Sequence, residues 1–245
     1  MTTTSTPPRL LLIPGLAGDA TMWHAQRDAM PAALRPLVTE VHTEAEATTV
    51  QGMAALLLAR HPGPLLLCGA SMGGMIAMEA ARQAPERIAG LALLGTTARP
   101  ETPEMRTLRE AAIALFEQGR VREVIEPNVA FAFHPANAAR PALVQDYLDF
   151  VLRAGAEQLV RQNRAVITRP DARLHLPQLA CPVLVVCGEA DQLTPLACSE
   201  EIAALVPGAE LQVLAECGHM LTMEHPQRVN ALLAQWLQRH GWMTP

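Results

Sequence analysis

The stretch Pro64-Leu65-Leu66-Leu67-Cys68-Gly69-Ala70-Ser71-Met72-Gly73-Gly74-Met75-Ile76-Ala77 constrains this chain more than any other. A short, continuously apolar run leads into Gly69-Ala70-Ser71-Met72-Gly73, and a small-residue, Ala-rich stretch follows. The run predicts a buried strand, a sharp turn and a helix, with Ser71 at the tip of the turn. The flanking glycines fit that geometry. Such a turn strains the serine backbone, and a Cβ at either neighbour would crowd the facing elements. The turn also lifts the hydroxyl off the sheet edge and aims the Met72 N–H, in the first helical turn, at whatever the hydroxyl attacks. Five residues of this kind can be a mere connector. The strand before them and the helix after them favour a turn that presents a nucleophile.

The remaining chain supplies the partners of that strand. Residues 9–13 read as a first buried strand stopped by Pro14-Gly15, and a loop over 14–23 opens a helix reaching about Leu34. Residues 38–43 read as a second strand and 50–60 as a helix stopped at Pro62-Gly63-Pro64. The helix after Ser71 closes near Gln83, and 88–96 forms a further buried strand. From 100 to 177 no strand is plausible, and four helix-like segments follow one another: 103–118, 121–131, 141–153 and 156–169. Alternation resumes with a strand over 182–187, a helix over 195–206, a strand over 210–214 and a last helix over 226–240. Parallel strands need crossovers, so this alternation implies an α/β fold with a mostly parallel sheet of about six strands flanked by helices. The expected organisation is a core domain of residues 1–99 and 178–245, interrupted by an all-helical insertion over 100–177.

Composition narrows the function classes. Net charge is −5 and no basic run occurs, which argues against nucleic acid and anionic membrane surfaces as partners. All 19 basic residues are arginine, so Schiff-base chemistry and a lysine general base are excluded. Cys68, Cys181, Cys187, Cys198 and Cys217 show no C-x-x-C spacing, and neither a disulfide framework nor a zinc site is indicated. No cofactor or metal is expected. Residues 1–8 are polar without an apolar signal core, and no run approaches about 18 apolar residues, which predicts a soluble cytoplasmic protein. Nothing in the sequence sets an oligomeric state.

A serine hydroxyl is a weak nucleophile until an imidazole takes its proton, and the imidazole needs an acid to hold its tautomer. In open α/β sheets such groups belong at the carboxyl ends of strands. After the fifth strand comes Gly188-Glu189-Ala190-Asp191-Gln192-Leu193-Thr194-Pro195, where Asp191 is the candidate acid and Glu189 the fallback. Thr194, just before Pro195, is the better helix-capping residue of the two. After the sixth strand comes Cys217-Gly218-His219-Met220, and His219 is the candidate base. The other histidines, His42 among them, read as surface or satisfied core residues. The order Ser71, Asp191, His219 is the one expected of a nucleophile turn in this kind of sheet. Two N–H donors are needed for the developing oxyanion: Met72 is one, and Leu16, after Pro14-Gly15, is the choice for the other.

With these residues placed, the sequence resembles the α/β-hydrolase superfamily over essentially its whole length. Gly18-Asp19-Ala20-Thr21-Met22-Trp23, Ser71-Met72-Gly73-Gly74-Met75-Ile76 and Pro85-Glu86-Arg87-Ile88 are similar to a small bacterial capped branch containing 3-oxoadipate enol-lactonases and carboxylesterases. The resemblance implies that 100–177 is a cap over the active site. Two departures stand out. The family's usual His-Gly after the first core strand is Pro14-Gly15 here, and only eight residues precede that strand, so the family's N-terminal antiparallel pair is expected to be missing. The 38–43 strand then becomes an edge, for which Thr39, Glu40 and Thr43 are suitably polar.

All four phenylalanines, Phe116, Phe131, Phe133 and Phe150, fall in the helical insertion with the only tyrosine, Tyr147. They are candidates for an apolar roof over the substrate, or for the insertion's own core. Arg153, Arg161 and Arg164 could hold a substrate carboxylate, though a solvated helix face explains them more simply. The expected activity is a serine hydrolase cleaving a small carboxylic ester or lactone through an acyl-enzyme. The alternatives are a carbon–carbon bond hydrolase or lyase on the same triad, or a slow-turnover ligand-binding receptor of the same fold.

Overall fold

Six strands form one sheet in a computed structural model that describes residues 7–34 and 36–243. They are β1 (Arg9–Ile13), β2 (Leu37–Val38), β3 (Leu65–Ala70), β4 (Ile88–Leu94), β5 (Val183–Gly188) and β6 (Glu210–Leu214). Their order is β2-β1-β3-β4-β5-β6, and every pairing is parallel. Successive side chains of a strand point to opposite faces, and both faces of the four inner strands β1, β3, β4 and β5 are buried. Leu10 and Leu12 of β1, Cys68 of β3, Leu94 of β4 and Val186 of β5 face one apolar layer. Leu11, Ile13, Leu67, Leu93 and Val185 face the other.

The crossovers supply the helices: α1 (His24–Ala29), α2 (Val50–Arg60), α3 (Met72–Gln83), α4 (Pro103–Glu117), α5 (Val121–Ala132), α6 (Pro135–Ala138), α7 (Pro141–Ile167), α8 (Leu196–Leu205), α9 (Leu221–Glu224) and α10 (Pro226–Arg239). Buried residues of α2, α3 and α8 cover one face of the sheet. Those of α10 and of the α4–α7 segment join the layer on the other. Several starts are written in the local sequence. Thr49 accepts a hydrogen bond from Gly52 N–H, and Thr102 accepts one from Met105 N–H with Pro103 in the first turn. The order of strands reverses between β1 and β3. The ligand-binding crevice of an open parallel sheet lies at such a reversal, beyond the carboxyl ends of the strands.

Two expectations are met differently. The strand read over 38–43 is only Leu37–Val38, at the sheet edge. Thr39 N–H still reaches Leu12 O at 3.0 Å, but Val41–Thr43 then coils into a 3-10 turn. Glu40 accepts from Ala20 N–H at 2.7 Å and His42 turns inward, so tertiary contacts of this segment end the strand early. The helix read up to Leu34 is broken into a 3-10 turn at Ala20–Trp23, the helix α1 and a second 3-10 turn at Ala32–Leu34. The break falls before Pro31, whose ring disfavours helical backbone in the residue ahead of it. The two helices read over 141–153 and 156–169 are both present within α7, separated at Gly155, whose φ of 74° and ψ of 169° are not helical. Among the described residues no antiparallel pairing occurs; the stretch ahead of β1 lies mostly in 1–6, outside the described residues.

Candidate active site

Ser71 sits between β3 and α3 with φ 53° and ψ −118°. A non-glycine residue in such a conformation costs about 1–3 kcal/mol and persists only where its surroundings over-determine it. Here they do. Ser71 N–H donates to Leu94 O at 2.9 Å, while Ser71 O accepts from the Thr96 hydroxyl at 2.7 Å and from Gly74 N–H at 3.0 Å. The neighbouring glycines are required by close approach. A Cβ on Gly69 would overlap the backbone of Gly73, and one on Gly73 would overlap the carbonyl oxygens of Ile13 and Pro14. The first turn of α3 is thereby pressed onto the end of β1.

Asp191 lies in the loop after β5 and His219 in the loop after β6, and the structure brings them together: His219 Nδ1 is 2.9 Å from Asp191 Oδ2. The carboxylate is otherwise saturated. Its Oδ1 accepts from the N–H groups of Leu193 and Thr194, each at 2.9 Å, and its Oδ2 accepts from the Thr194 hydroxyl at 2.9 Å. Thr194, expected to cap the following helix, spends its hydroxyl on Asp191 instead. Glu189, the fallback acid, is exposed. Burial works to raise the Asp191 pKa, but the His219 charge and the bonds from His219 and Thr194 outweigh it, and the net direction is downward. Burial likewise works to lower the His219 pKa, and the charge and hydrogen bond of Asp191, helped by Glu224, carry it above the ordinary value.

His219 and Ser71 flank one short segment. A Cβ on Gly95 would lie 3.4 Å from His219 Nδ1 and 3.2 Å from Asp191 Oδ2, and the next residue is Thr96, bonded to Ser71 O. The ring hydrogen bonds of His219 go to Asp191 and Thr194, and none reaches the Ser71 hydroxyl. In unliganded sites this contact is often long and tightens only when substrate seats.

The loop after β1 approaches the serine. A Cβ on Gly15 would lie 3.1 Å from Ser71 Cβ and 3.8 Å from its Oγ. Within that loop Gly18 N–H bonds Gly15 O at 3.0 Å and Ala17 N–H bonds a side chain, whereas Leu16 N–H meets no acceptor among the described residues. Met72 opens α3 without a side-chain cap, so its N–H has no helical partner either. These are the two donors named from the sequence.

One supporting residue escaped the sequence reading. The buried Glu224 accepts from Gly218 N–H at 3.0 Å and Met220 N–H at 3.1 Å, on either side of His219. The same carboxylate accepts from His134 N–H and Asn137 Nδ2, both at 2.9 Å, between α5 and α7. His219 N–H itself donates to Ala132 O at 2.9 Å. The available signal was a lone acid in the apolar run Met220-Leu221-Thr222-Met223-Glu224, directly after the candidate histidine.

The candidate pocket residues divide. Phe133, Tyr147 and Phe150 form an edge-to-face ladder with ring centroids 5.4 and 5.3 Å apart, and Asn128 donates to the Tyr147 hydroxyl at 3.2 Å. Phe131 is 50 % exposed. Phe116 lines a cleft of about 580 Å³ with Ala45, Thr48, Val160 and Arg164, and neither Ser71 nor His219 borders it. The three arginines have partners: Arg153 pairs with Asp19 at 2.8 Å, Arg161 donates to Thr43 O at 2.7 Å, and Arg164 pairs with Glu117 at 2.6 Å. Among the described residues there is no cluster of three or more histidine, cysteine or acidic side chains able to hold a metal, and no helix long and apolar enough to cross a membrane.

A parallel sheet with a strained serine at its reversal point, and a paired acid and imidazole two and three strands away, defines the class of enzyme. The chain belongs to the alpha/beta hydrolase fold family, whose model matches residues 42–226, and it is a hydrolase. It is 29% identical to the pimeloyl-[acyl-carrier protein] methyl ester esterase of Aromatoleum aromaticum, an alignment spanning 92% of this chain and 96% of that one. A thermophilic esterase from Thermogutta terrifontis, solved with malate bound, superposes with a TM-score of 0.87 at 29% identity over 97% of this chain and 92% of its own. The enol-lactonase of Burkholderia xenovorans LB400 shares the fold, with a TM-score of 0.85 at 22% identity over 96% and 93% of the two chains.

Proposed function

We propose that this hydrolase cleaves small carboxylic esters or lactones through an acyl-enzyme on Ser71. The observation that carries the reading is the 2.9 Å contact between His219 Nδ1 and Asp191 in a site whose serine is held at φ 53°. With its Nδ1 hydrogen directed to the carboxylate, the imidazole keeps the Nε2 lone pair for the serine proton. Ser71 Oγ attacks the carbonyl carbon as His219 takes its proton. The tetrahedral oxyanion is held by the N–H groups of Leu16 and Met72. His219 then protonates the leaving alkoxide, and water deacylates the enzyme by the same route. In this reading residues 100–177 are a cap and residues 1–99 and 178–245 the catalytic core. Phe116, Phe131, Phe133, Tyr147 and Phe150 are the cap's contribution to the substrate's apolar surroundings. The esterase relative from Aromatoleum aromaticum supports the ester class.

Turnover of short p-nitrophenyl esters, abolished in Ser71→Ala with an unchanged circular dichroism spectrum, is the expected result. A variant that keeps its rate sinks the serine mechanism. A panel of esters, lactones and diketones ranked by kcat/KM separates ester, lactone and carbon–carbon cleavage, since discrimination is expressed in the transition state.

A further inference from the structure

The oxyanion loop carries its own anomaly. Ala17 adopts φ 59°, a left-handed conformation that a residue with a Cβ rarely takes. The loop begins Pro14-Gly15, and the proline has neither a polar side chain nor an N–H with which to brace it.

The bracing comes from two distant places. Gln162, fully buried on the second half of α7, accepts from Ala17 N–H through Oε1 at 2.7 Å, 145 residues away in sequence. Its Nε2 donates to His42 O at 3.0 Å. His42, also fully buried, places its ring Nε2 2.8 Å from Gly18 O. A carbonyl only accepts, so that nitrogen carries the hydrogen, and the other ring nitrogen has no partner among the described residues. Burial, the largest influence on this ring, lowers its pKa to about 4, which keeps it neutral in this tautomer at ordinary pH. Two consecutive residues of the loop, Ala17 and Gly18, are thus pinned by one connected set of three hydrogen bonds, next to the Leu16 N–H and the Gly15 that abuts Ser71.

We propose that Gln162 and His42 are positioning residues that hold the 14–18 loop, and with it the Leu16 N–H, in register with Ser71. The helical segment between β4 and β5 then completes the catalytic geometry in addition to covering it. This inference rests on the serine-hydrolase reading above.

The test uses the full chain and p-nitrophenyl acetate. Gln162→Met keeps the side-chain length and removes both polar partners. Its kcat is expected to fall about 10- to 100-fold while KM stays within about threefold, the pattern of a displaced transition-state donor. Gln83→Met, which removes a half-buried amide from the far end of α3, is the control and leaves both constants unchanged. Gln162→Met with wild-type kcat, or with its loss in KM alone, overturns the inference while Ser71-dependent turnover keeps the hydrolase reading standing. Turnover that survives Ser71→Ala overturns the hydrolase reading and this inference with it.

A second measurement holds if Gln162→Met fails to fold. In the wild-type protein the Ala17 amide is expected to exchange with deuterium as slowly as amides of β3. Exchange at the rate of an open loop would overturn the proposal.

Discussion

Asp191 Oδ2 stands 2.9 Å from His219 Nδ1, and the other carboxylate oxygen is filled by two backbone N–H groups of the same loop. The carboxylate therefore has one orientation, and it presents an acceptor, never a donor, to the imidazole. Asp191→Asn reverses that. An amide N–H facing Nδ1 favours the tautomer with its hydrogen on Nε2, where it can no longer accept the serine proton. The expected loss in kcat is about 10⁴-fold, as for the corresponding change in other triads, with KM little altered. Steady-state kinetics on a p-nitrophenyl ester checks it, and a variant within tenfold of wild type, on the order of 1.4 kcal/mol, would exclude Asp191 from the role.

The acid limb of the pH profile follows from His219. Its ordinary value is 6.5, and the site raises it. The base works only when neutral, so kcat/KM falls as pH drops through a midpoint above 6.5, on the alkaline side of a free imidazole. A profile of kcat/KM against pH locates that midpoint. One at or below the free-imidazole value contradicts the Asp191 pairing as the dominant influence.

Glu224 ties four donors from two parts of the chain, and removing it leaves the Gly218 and His134 N–H groups without an acceptor, while Met220 N–H keeps Ala132 O and Asn137 keeps Glu216 O. A buried donor left without an acceptor costs about 1–3 kcal/mol, so Glu224→Ala is expected to lower unfolding free energy by about 3 kcal/mol or more. Urea denaturation measures this. Glu224→Gln retains one acceptor oxygen and the volume, so its cost is smaller. It also removes a negative charge that raises the His219 pKa, and the acid limb moves down in this variant.

His42 makes the fold acid-sensitive. Its pKa falls from 6.5 to about 4, first through burial, then through the Arg161 charge, against the opposing pull of the Gly18 carbonyl and Asp19. Between those two pH values the unfolded chain binds a proton that the folded chain refuses, so stability declines as pH falls from 6.5 toward 4. The contribution is up to about 3 kcal/mol. Measured by urea denaturation at a series of pH values, His42→Gln should show a shallower decline than wild type across this window. Parallel curves would mean that His42 titrates as an ordinary exposed residue.

Much of the enzyme was legible in the order of its residues. The strand–turn–helix around Ser71 needs only apolar run length and glycine spacing, both local properties. The parallel sheet followed from strict strand–helix alternation, because each parallel neighbour demands a crossover. Asp191 and His219 were named as candidate acid and base from their places just past two strands, where the topology of an open sheet gathers polar groups, and the structure sets them 2.9 Å apart. Even the kink at Gly155 could be seen as a gap between two helical patterns.

What lay beyond the sequence was everything decided by contacts between distant segments. The second strand stops after Val38 because Glu40 and His42 are drawn to the loop after β1, and no local pattern in 38–43 records that pull. Glu224 reads as one acid in an apolar run until the fold sets Gly218, Met220, His134 and Asn137 around it. His42 read only as a surface or satisfied core residue; the fold buries it, and its partners Gly18 and Gln162 come from the first loop and from α7. The candidate residues for chemistry could be named one by one, since each depends on its own side chain and its place after a strand. The residues that hold them in position could not, because a hydrogen bond across 145 positions exists only once the chain has folded.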